Sequence, residues 1–283
     1  MTTPEPVAWV DGELVPLSRA RVSVLDHGLV VGDGVFETLR VYRGVPFAWT
    51  RHLARLRASA DALGLAVPDD ATMRAAAGAV LTANGLAEAR LRITVTGGVA
   101  PPGSGRGDAP PTAFVLASPI EPPAPATDVV IVPWTRNEHG ALAGLKTISY
   151  AANVRALAYA QSCGAGEAIF ANTHGNLCEA TGSNVFCMAD GVLSTPPPSA
   201  GALLGVTRGL LLELASALGI PADERDVPIE VFATTEEAFL SSTTREVQPI
   251  AHIDGRALAT VGGAVSAALA RAFRELVARD LDP

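Results

Sequence analysis

The sequence is almost without lysine: its 21 lysine and arginine residues divide into twenty arginines and a single lysine, Lys146. A guanidinium stays protonated, whereas a desolvated lysine amine can lose its proton, attack a carbonyl and form a Schiff base. Two readings follow, a solvated surface lysine or a lysine kept for its chemistry. The stretch Gly144-Leu145-Lys146-Thr147-Ile148-Ser149-Tyr150 is nearly uncharged and follows the apolar run Gly140–Leu145, which favours chemistry. Cysteine is also scarce. Cys163, Cys178 and Cys187 make no spaced metal or disulfide pattern, so free thiols are expected. No apolar run reaches the ~18 residues of a membrane span. There is no basic stripe, and a net charge of −8 argues against nucleic acid as a partner, although a local site can still take a small anion. Met1–Pro6 has neither a basic start nor an apolar core, so no secretory signal is expected and the cytoplasm is the expected compartment.

What is present is a chain of 283 residues, 48% hydrophobic, long enough for two domains with ample core. Residues 7–15 alternate around Asp11-Gly12 and read as a β-hairpin. Residues 24–34 carry three glycines within seven positions and read as a loop before a strand at 35–42. A strand follows this loop, where a dinucleotide fingerprint needs a helix, so no phosphate cradle is read there. Trp49 to Leu65 is an amphipathic helix with Thr50 as its N-cap, and His52, Arg55, Leu56 and Ser59 share one side. A second helix runs from about Pro68 to Asn84, opened by Asp69-Asp70. Strands are expected at 89–96 and 113–117, separated by a Gly- and Pro-rich loop.

The prolines of 119–125 mark a boundary. The division is a small N-terminal domain at 1–118, a linker at 119–127 and a large C-terminal domain at 128–283. In the latter, strands are expected at 128–133, 167–171, 192–195 and on both sides of a polar loop within 238–250. Helices are expected at 153–162, 205–218 and 262–279, the last packing on the outside. The chain reads as α+β, or mixed α/β, in two lobes.

A Schiff-base lysine commonly serves pyridoxal phosphate, which needs an anion site and a partner for its ring nitrogen. Glu179 lies amid small and apolar residues in Asn176–Phe186, either as that partner or as an exposed strand residue beside a turn. Gly205-Val206-Thr207 opens a helix, either as an anion site or as a plain N-cap. The four hydroxyls Ser241-Ser242-Thr243-Thr244 either bond a phosphate or close a turn, and Arg55 either balances that charge or is a solvated helix residue.

Together these residues resemble the fold-type IV pyridoxal-phosphate enzymes, the class IV aminotransferases. That group includes branched-chain transaminases, D-amino-acid transaminases and aminodeoxychorismate lyases. Four motifs match in order: Asp33-Gly34-Val35-Phe36-Glu37, His52-x-x-Arg55-Leu56, Glu179–Phe186, and Gly205-Val206-Thr207-Arg208. The resemblance implies pyridoxal 5'-phosphate as cofactor, with Lys146 as Schiff base and general acid/base and Glu179 on the ring nitrogen. It implies Arg55, Val206, Thr207, Thr243 and Thr244 on the phosphate. It also implies a homodimer with the active site between the lobes, acting on an amino donor and a keto-acid acceptor.

The loop Ser241–Ile250 is similar to that of D-amino-acid transaminases, which points to D-amino acids or (R)-amines. Asp26-His27-Gly28 and the Lys146-x-x-x-Tyr150-x-x-Asn153 spacing resemble aminodeoxychorismate lyases, the alternative, which release pyruvate and 4-aminobenzoate. Leu29 stands where D-amino-acid transaminases carry a tyrosine that grips the substrate carboxylate. Arg106 is therefore the expected replacement, Arg136 and His139 are weaker ones, and Leu29, Arg106 and Tyr150 are the expected substrate-binding residues.

Overall fold

The computed structural model describes residues 5–189 and 191–283. Residues 1–4, which enter the reading of the secretory signal, lie outside them. Two compact units are present. The first contains the residues up to Glu121 together with Leu145–Ser149 and Asp280–Pro283, and the second contains Pro122–Gly144 and Tyr150–Arg279. Leu145–Ser149 therefore belongs to the first unit although it follows the proline-rich segment in the chain.

In the first unit, β1 (Val7–Val10) and β2 (Glu13–Pro16) form the expected hairpin, with Asp11 and Gly12 both at positive φ. There follow α1 (His27–Val31), β3 (Gly34–Tyr42), β4 (Val45–Pro46), α2 (Trp49–Ala62), α3 (Asp70–Ala83), β5 (Ala89–Thr96) and β6 (Thr112–Pro119). Six strands pair in the order β2-β1-β6-β5-β3-β4. Alternation decides which face is covered. Val35, Leu39, Val41, Leu91, Ile93, Val95 and Val115 are buried in one cluster with Leu53, Leu56 and Ala60 of α2 and Met73, Ala77 and Val80 of α3. Each large aliphatic side chain so buried contributes about 2 kcal/mol.

Two local expectations change. The glycine-rich stretch is not all loop: Asp26 accepts from Gly28 N–H and caps the five-residue helix α1, which stops at left-handed Gly32. Thr50 is not the N-cap of α2: that position is Ala48, two residues earlier, and the helix has no side-chain cap from it. The chain terminus supplies the missing acceptors, because Ala48 N–H donates to the Leu281 carbonyl at 2.7 Å and Thr50 N–H to Asp282 Oδ1 at 2.8 Å.

The second unit contains β7 (Thr127–Ile131), α4 (Ala151–Ser162), β8 (Glu167–Ala171), β9 (Leu177–Ala180), β10 (Asn184–Ala189) and β11 (Val192–Thr195). These are followed by α5 (Val206–Ala217), β12 (Ala222–Glu224), β13 (Ala238–Ser242), β14 (Glu246–Ile253), β15 (Arg256–Ala257) and α6 (Ala264–Arg279). Its sheet runs β12-β11-β10-β13-β14-β7-β8-β9, with β15 beside β14. The segment between β8 and β11, read only as glycine-marked, holds the two further strands β9 and β10. One sheet face buries Val129, Ile169, Val185, Leu240 and Ile250, and α4 covers another cluster around Val130, Ala168 and Phe170. The α6 helix lays Leu269, Phe273 and Leu276 inward beside α5 and β14. Both sheets carry helices, in keeping with the mixed α/β expectation. Among the described residues no helix is long and apolar enough to cross a membrane.

Candidate active site

Lys146 lies alongside β3 in an extended segment that an isolated bridge holds against the first sheet. Val35 bridges Thr147, Phe36 N–H donates to the Lys146 carbonyl at 3.1 Å, and Ile148 N–H donates to the Gly34 carbonyl at 2.9 Å. Ser59 on α2 accepts the Lys146 N–H at 3.1 Å. Gly34 permits this approach, since a Cβ there would lie 2.8 Å from both Ile148 Cδ1 and the Val95 carbonyl. The amine stands 4.4 Å from the centroid of the Phe36 ring, and the Arg92 guanidinium stands 3.8 Å from the same centroid. Each cation is attracted by the ring, and the two repel one another. Arg92 was not singled out from the sequence. The signal was available, because Leu91, Ile93 and Val95 face the core and alternation turns Arg92 to the opposite face, that of Phe36.

On the core side of β3, Glu37 is wholly buried. It accepts from Arg55 Nε at 2.7 Å, Arg55 Nη2 at 2.8 Å and His52 Nδ1 at 2.7 Å. Burial alone would push its carboxyl up, but the charge of Arg55 and the contact with His52 hold it well below the usual carboxylate range. Burial pushes the His52 imidazole down, against the pull of Glu37. The pattern His52-x-x-Arg55 thus puts both side chains on one carboxylate from a single turn of α2.

The other first-unit candidates are placed as follows. Arg106 forms an ion pair with Asp33, its Nε lying 2.9 Å from Oδ2 and its Nη2 donating to Oδ1 at 3.2 Å, and it donates to the Leu63 and Gly64 carbonyls just beyond α2. Leu29 is 67% exposed on α1. Asp26 caps α1 and accepts from Thr96 Oγ1, while His27 contacts Asp33 and the Pro101 carbonyl, each at 3.3 Å.

In the second unit Glu179 lies on β9 with 15% of its side chain exposed. Its Oε2 accepts the Leu203 N–H at 2.9 Å, and its Oε1 lies 3.4 Å from Arg136 Nε. Arg136 also lies 4.2 Å above the Phe170 ring and gives both Nη groups to Asn153 Oδ1. Tyr150 is the N-cap residue of α4. His139 is mostly exposed and lies 4.0 Å from Glu138, whose carboxylate is taken by Thr173 and His174. Those hydrogen bonds bring the Glu138 carboxyl down to about 2.

The start of α5 is built close to β10. Gly205 is its N-cap residue with no side-chain cap, and a Cβ there would fall 2.1 Å from Asn184 Oδ1. Val206 and Thr207 therefore begin the helix with N–H groups that no capping side chain takes, and Thr207 is buried. Ser241 and Ser183 are buried and have hydroxyls without a hydrogen-bond partner among the described residues. Thr243 and Thr244 are half-buried in the turn between β13 and β14. Buried Glu167 joins this turn to the one after β9, accepting from Arg245 on one side and from Thr181 N–H and Oγ1 on the other.

A family model described as amino-transferase class IV matches residues 34–253. A putative branched-chain-amino-acid aminotransferase of Methanocaldococcus jannaschii is 35% identical over 256 residues, covering 88% of each chain. A D-alanine aminotransferase of Listeria innocua is 32% identical over 287 residues, covering 95% of this chain and 96% of that one. The structure of the T.th. branched-chain amino acid aminotransferase with pyridoxamine 5'-phosphate superposes with a TM-score of 0.90 at 25% identity. It covers 98% of this chain and 95% of that one. With these likenesses over nearly its whole length, the chain belongs to the class IV aminotransferases.

Proposed function

We propose that the protein is a transaminase that moves an amino group between an α-keto acid and D-amino acids or amines of (R) configuration. The reaction class follows from the family, and pyridoxal 5'-phosphate is its cofactor. The observation that carries the finer reading is the Ser241–Ile250 loop, supported by likeness to a D-alanine aminotransferase over 95% of the chain.

The residues present fit the cofactor. An uncapped helix start at Val206-Thr207 and the buried, unpartnered hydroxyl of Ser241 suit a phosphate, and a partly exposed carboxylate at Glu179 suits a protonated ring nitrogen. We assign the phosphate to Arg55, the Val206 N–H, Thr207, Thr243 and Thr244. The cofactor, when bound, supplies an electron-accepting ring that stabilises negative charge at the substrate Cα. Lys146 Nζ would hold the cofactor, and the same amine, once released, would take the proton from the substrate Cα as a general base and give it back as a general acid. Glu37 keeps Arg55 turned in one direction by occupying its Nε and Nη2 edge.

For the substrate carboxylate we assign Arg92, because it shares the Phe36 ring with Lys146. Three of the five N–H bonds of Arg106 go to Asp33 and the carbonyls after α2, and its charge is paired with Asp33, which leaves it less to offer. The exposed apolar run Val24, Leu25, Leu29, Val30 and Val31, joined by Val99, supports a homodimer. The unpaired thiols suit a reducing cytoplasm.

The lyase reading is the second. Its motifs have structural work that explains them otherwise: Asp26 caps a helix, His27 ties Asp33 to Pro101, and Asn153 holds Arg136. A cofactor half-reaction separates the two. On addition of D-alanine or D-glutamate the visible band of the bound cofactor shifts to the amine form, while L-leucine leaves it in place. Release of fluorescent 4-aminobenzoate from aminodeoxychorismate, without that shift, would establish the lyase instead.

A further inference from the structure

Arg136, weighed from the sequence as a substrate-carboxylate residue, lies instead against Glu179. We propose that Arg136 is a positioning residue that sets how strongly Glu179 holds the proton it shares with the ring nitrogen of the cofactor. The inference rests on the reading of Glu179 as the partner of that nitrogen.

Three features of the second unit carry it. First, the contact is one of charge. Arg136 Nε lies 3.4 Å from Glu179 Oε1, yet this buried nitrogen makes no hydrogen bond among the described residues. The guanidinium therefore lowers the negative potential at the carboxylate without taking up a lone pair in a well-aligned bond. Second, neither partner is free to swing away. Phe170 lies under the Arg136 plane at 4.2 Å, Asn153 Oδ1 receives both Nη groups at 3.3 Å, and the Arg136 N–H donates to the Ala171 carbonyl at 2.8 Å. On the other side, Glu179 Oε2 is fixed by the Leu203 N–H. Third, Asn153 continues through its Nδ2 to the Thr181 carbonyl, so the residue that orients Arg136 also holds the turn after Glu179. A guanidinium that lies over a ring and gives both Nη groups to one oxygen is a contact that lysine cannot reproduce.

Glu138, also near β9, is already engaged by Thr173 and His174. A carboxylate paired with a cation offers less to a proton than an unpaired one. Arg136 accordingly moderates Glu179: the ring nitrogen keeps its proton, but is not held in a bond too strong to relax as charge leaves the ring.

The test uses holoenzyme loaded with cofactor labelled with 15N at the ring nitrogen, compared as wild type, Arg136→Met, Arg136→Lys and Glu179→Gln. The readouts are the nitrogen shift across pH and the shift of the proton it carries. In Arg136→Met the nitrogen holds its proton to a pH higher by about one unit or more, and the bridging proton moves downfield. Arg136→Lys keeps the charge and moves less. Arg136→Gln takes the place of the methionine variant if that variant does not fold. Spectra unchanged in Arg136→Met, with Glu179→Gln clearly moved, overturn the role of Arg136 and leave the Glu179 reading intact. Spectra unchanged in Glu179→Gln overturn the Glu179 reading itself.

Discussion

Glu37 and Arg55 meet edge to edge, the two carboxylate oxygens facing Nε and Nη2 at 2.7 and 2.8 Å, with the carboxylate wholly buried and the guanidinium only partly so. Removing one member of such a pair leaves an uncompensated charge. Glu37→Gln is expected to destabilise the fold by about 3 kcal/mol, read as a lower urea midpoint at unchanged slope. The same variant should bind pyridoxal 5'-phosphate more weakly while binding pyridoxal, which has no phosphate, nearly as before. Equal loss for both ligands would remove Arg55 from the phosphate.

The same cluster makes stability depend on acid. In the unfolded chain Glu37 takes its proton near pH ~4.3 and His52 near ~6.5, while in the folded protein both do so only at lower pH. Below those values the unfolded chain holds more protons, so stability falls as pH falls. The loss begins under about pH 6.5 through His52 and steepens under about 4.3 through Glu37, and neither gives any slope above 6.5. Melting temperature followed against pH should lose its upper limb in His52→Gln and its lower limb in Glu37→Gln.

Arg92→Met tests the carboxylate assignment. Loss of a charge-assisted hydrogen bond corresponds to a drop in kcat/KM of about 10- to 100-fold. The drop should fall mainly on KM for substrates that bear a carboxylate and should spare simple (R)-amines. A uniform loss over both substrate types would mean that Arg92 acts only by supporting Phe36 and Lys146.

The thiols give a simple count. Cys163 is exposed, while Cys178 and Cys187 are buried, and burial pushes the Cys187 thiol up to about 12 and Cys178 higher still. One equivalent of Ellman's reagent should react at once in the native protein, and three after denaturation in guanidinium.

Much of this was legible in the sequence where one element explains itself. The spacing of His52 and Arg55 gave one helix face, the alternation of 89–96 gave a strand, and the single lysine stood out in a nearly uncharged stretch. Contacts made over long distances in the chain were not legible. Thr50 looks like an N-cap because Ser, Thr, Asp and Asn usually are, but the acceptor that matters is Asp282, 232 positions away. Arg136 and Arg106 each look like a loop cation awaiting an anion, and only the fold shows that Glu179 and Asp33 meet them. Strands β9 and β10 were hidden because both are short and joined by the turn Thr181-Gly182-Ser183, and the partners that make them strands, β8 for β9 and β11 and β13 for β10, lie elsewhere in the chain.

The return of Leu145–Ser149 to the sheet of the first unit bears on how the protein can be taken apart. A cut at the proline-rich joint would yield an N-terminal fragment with one margin of β3 bare and no lysine, and a C-terminal fragment whose Lys146 segment has lost its docking strand. Neither half is a separable module, and exchange of halves between relatives should carry residues 145–149 and 280–283 with the N-terminal half.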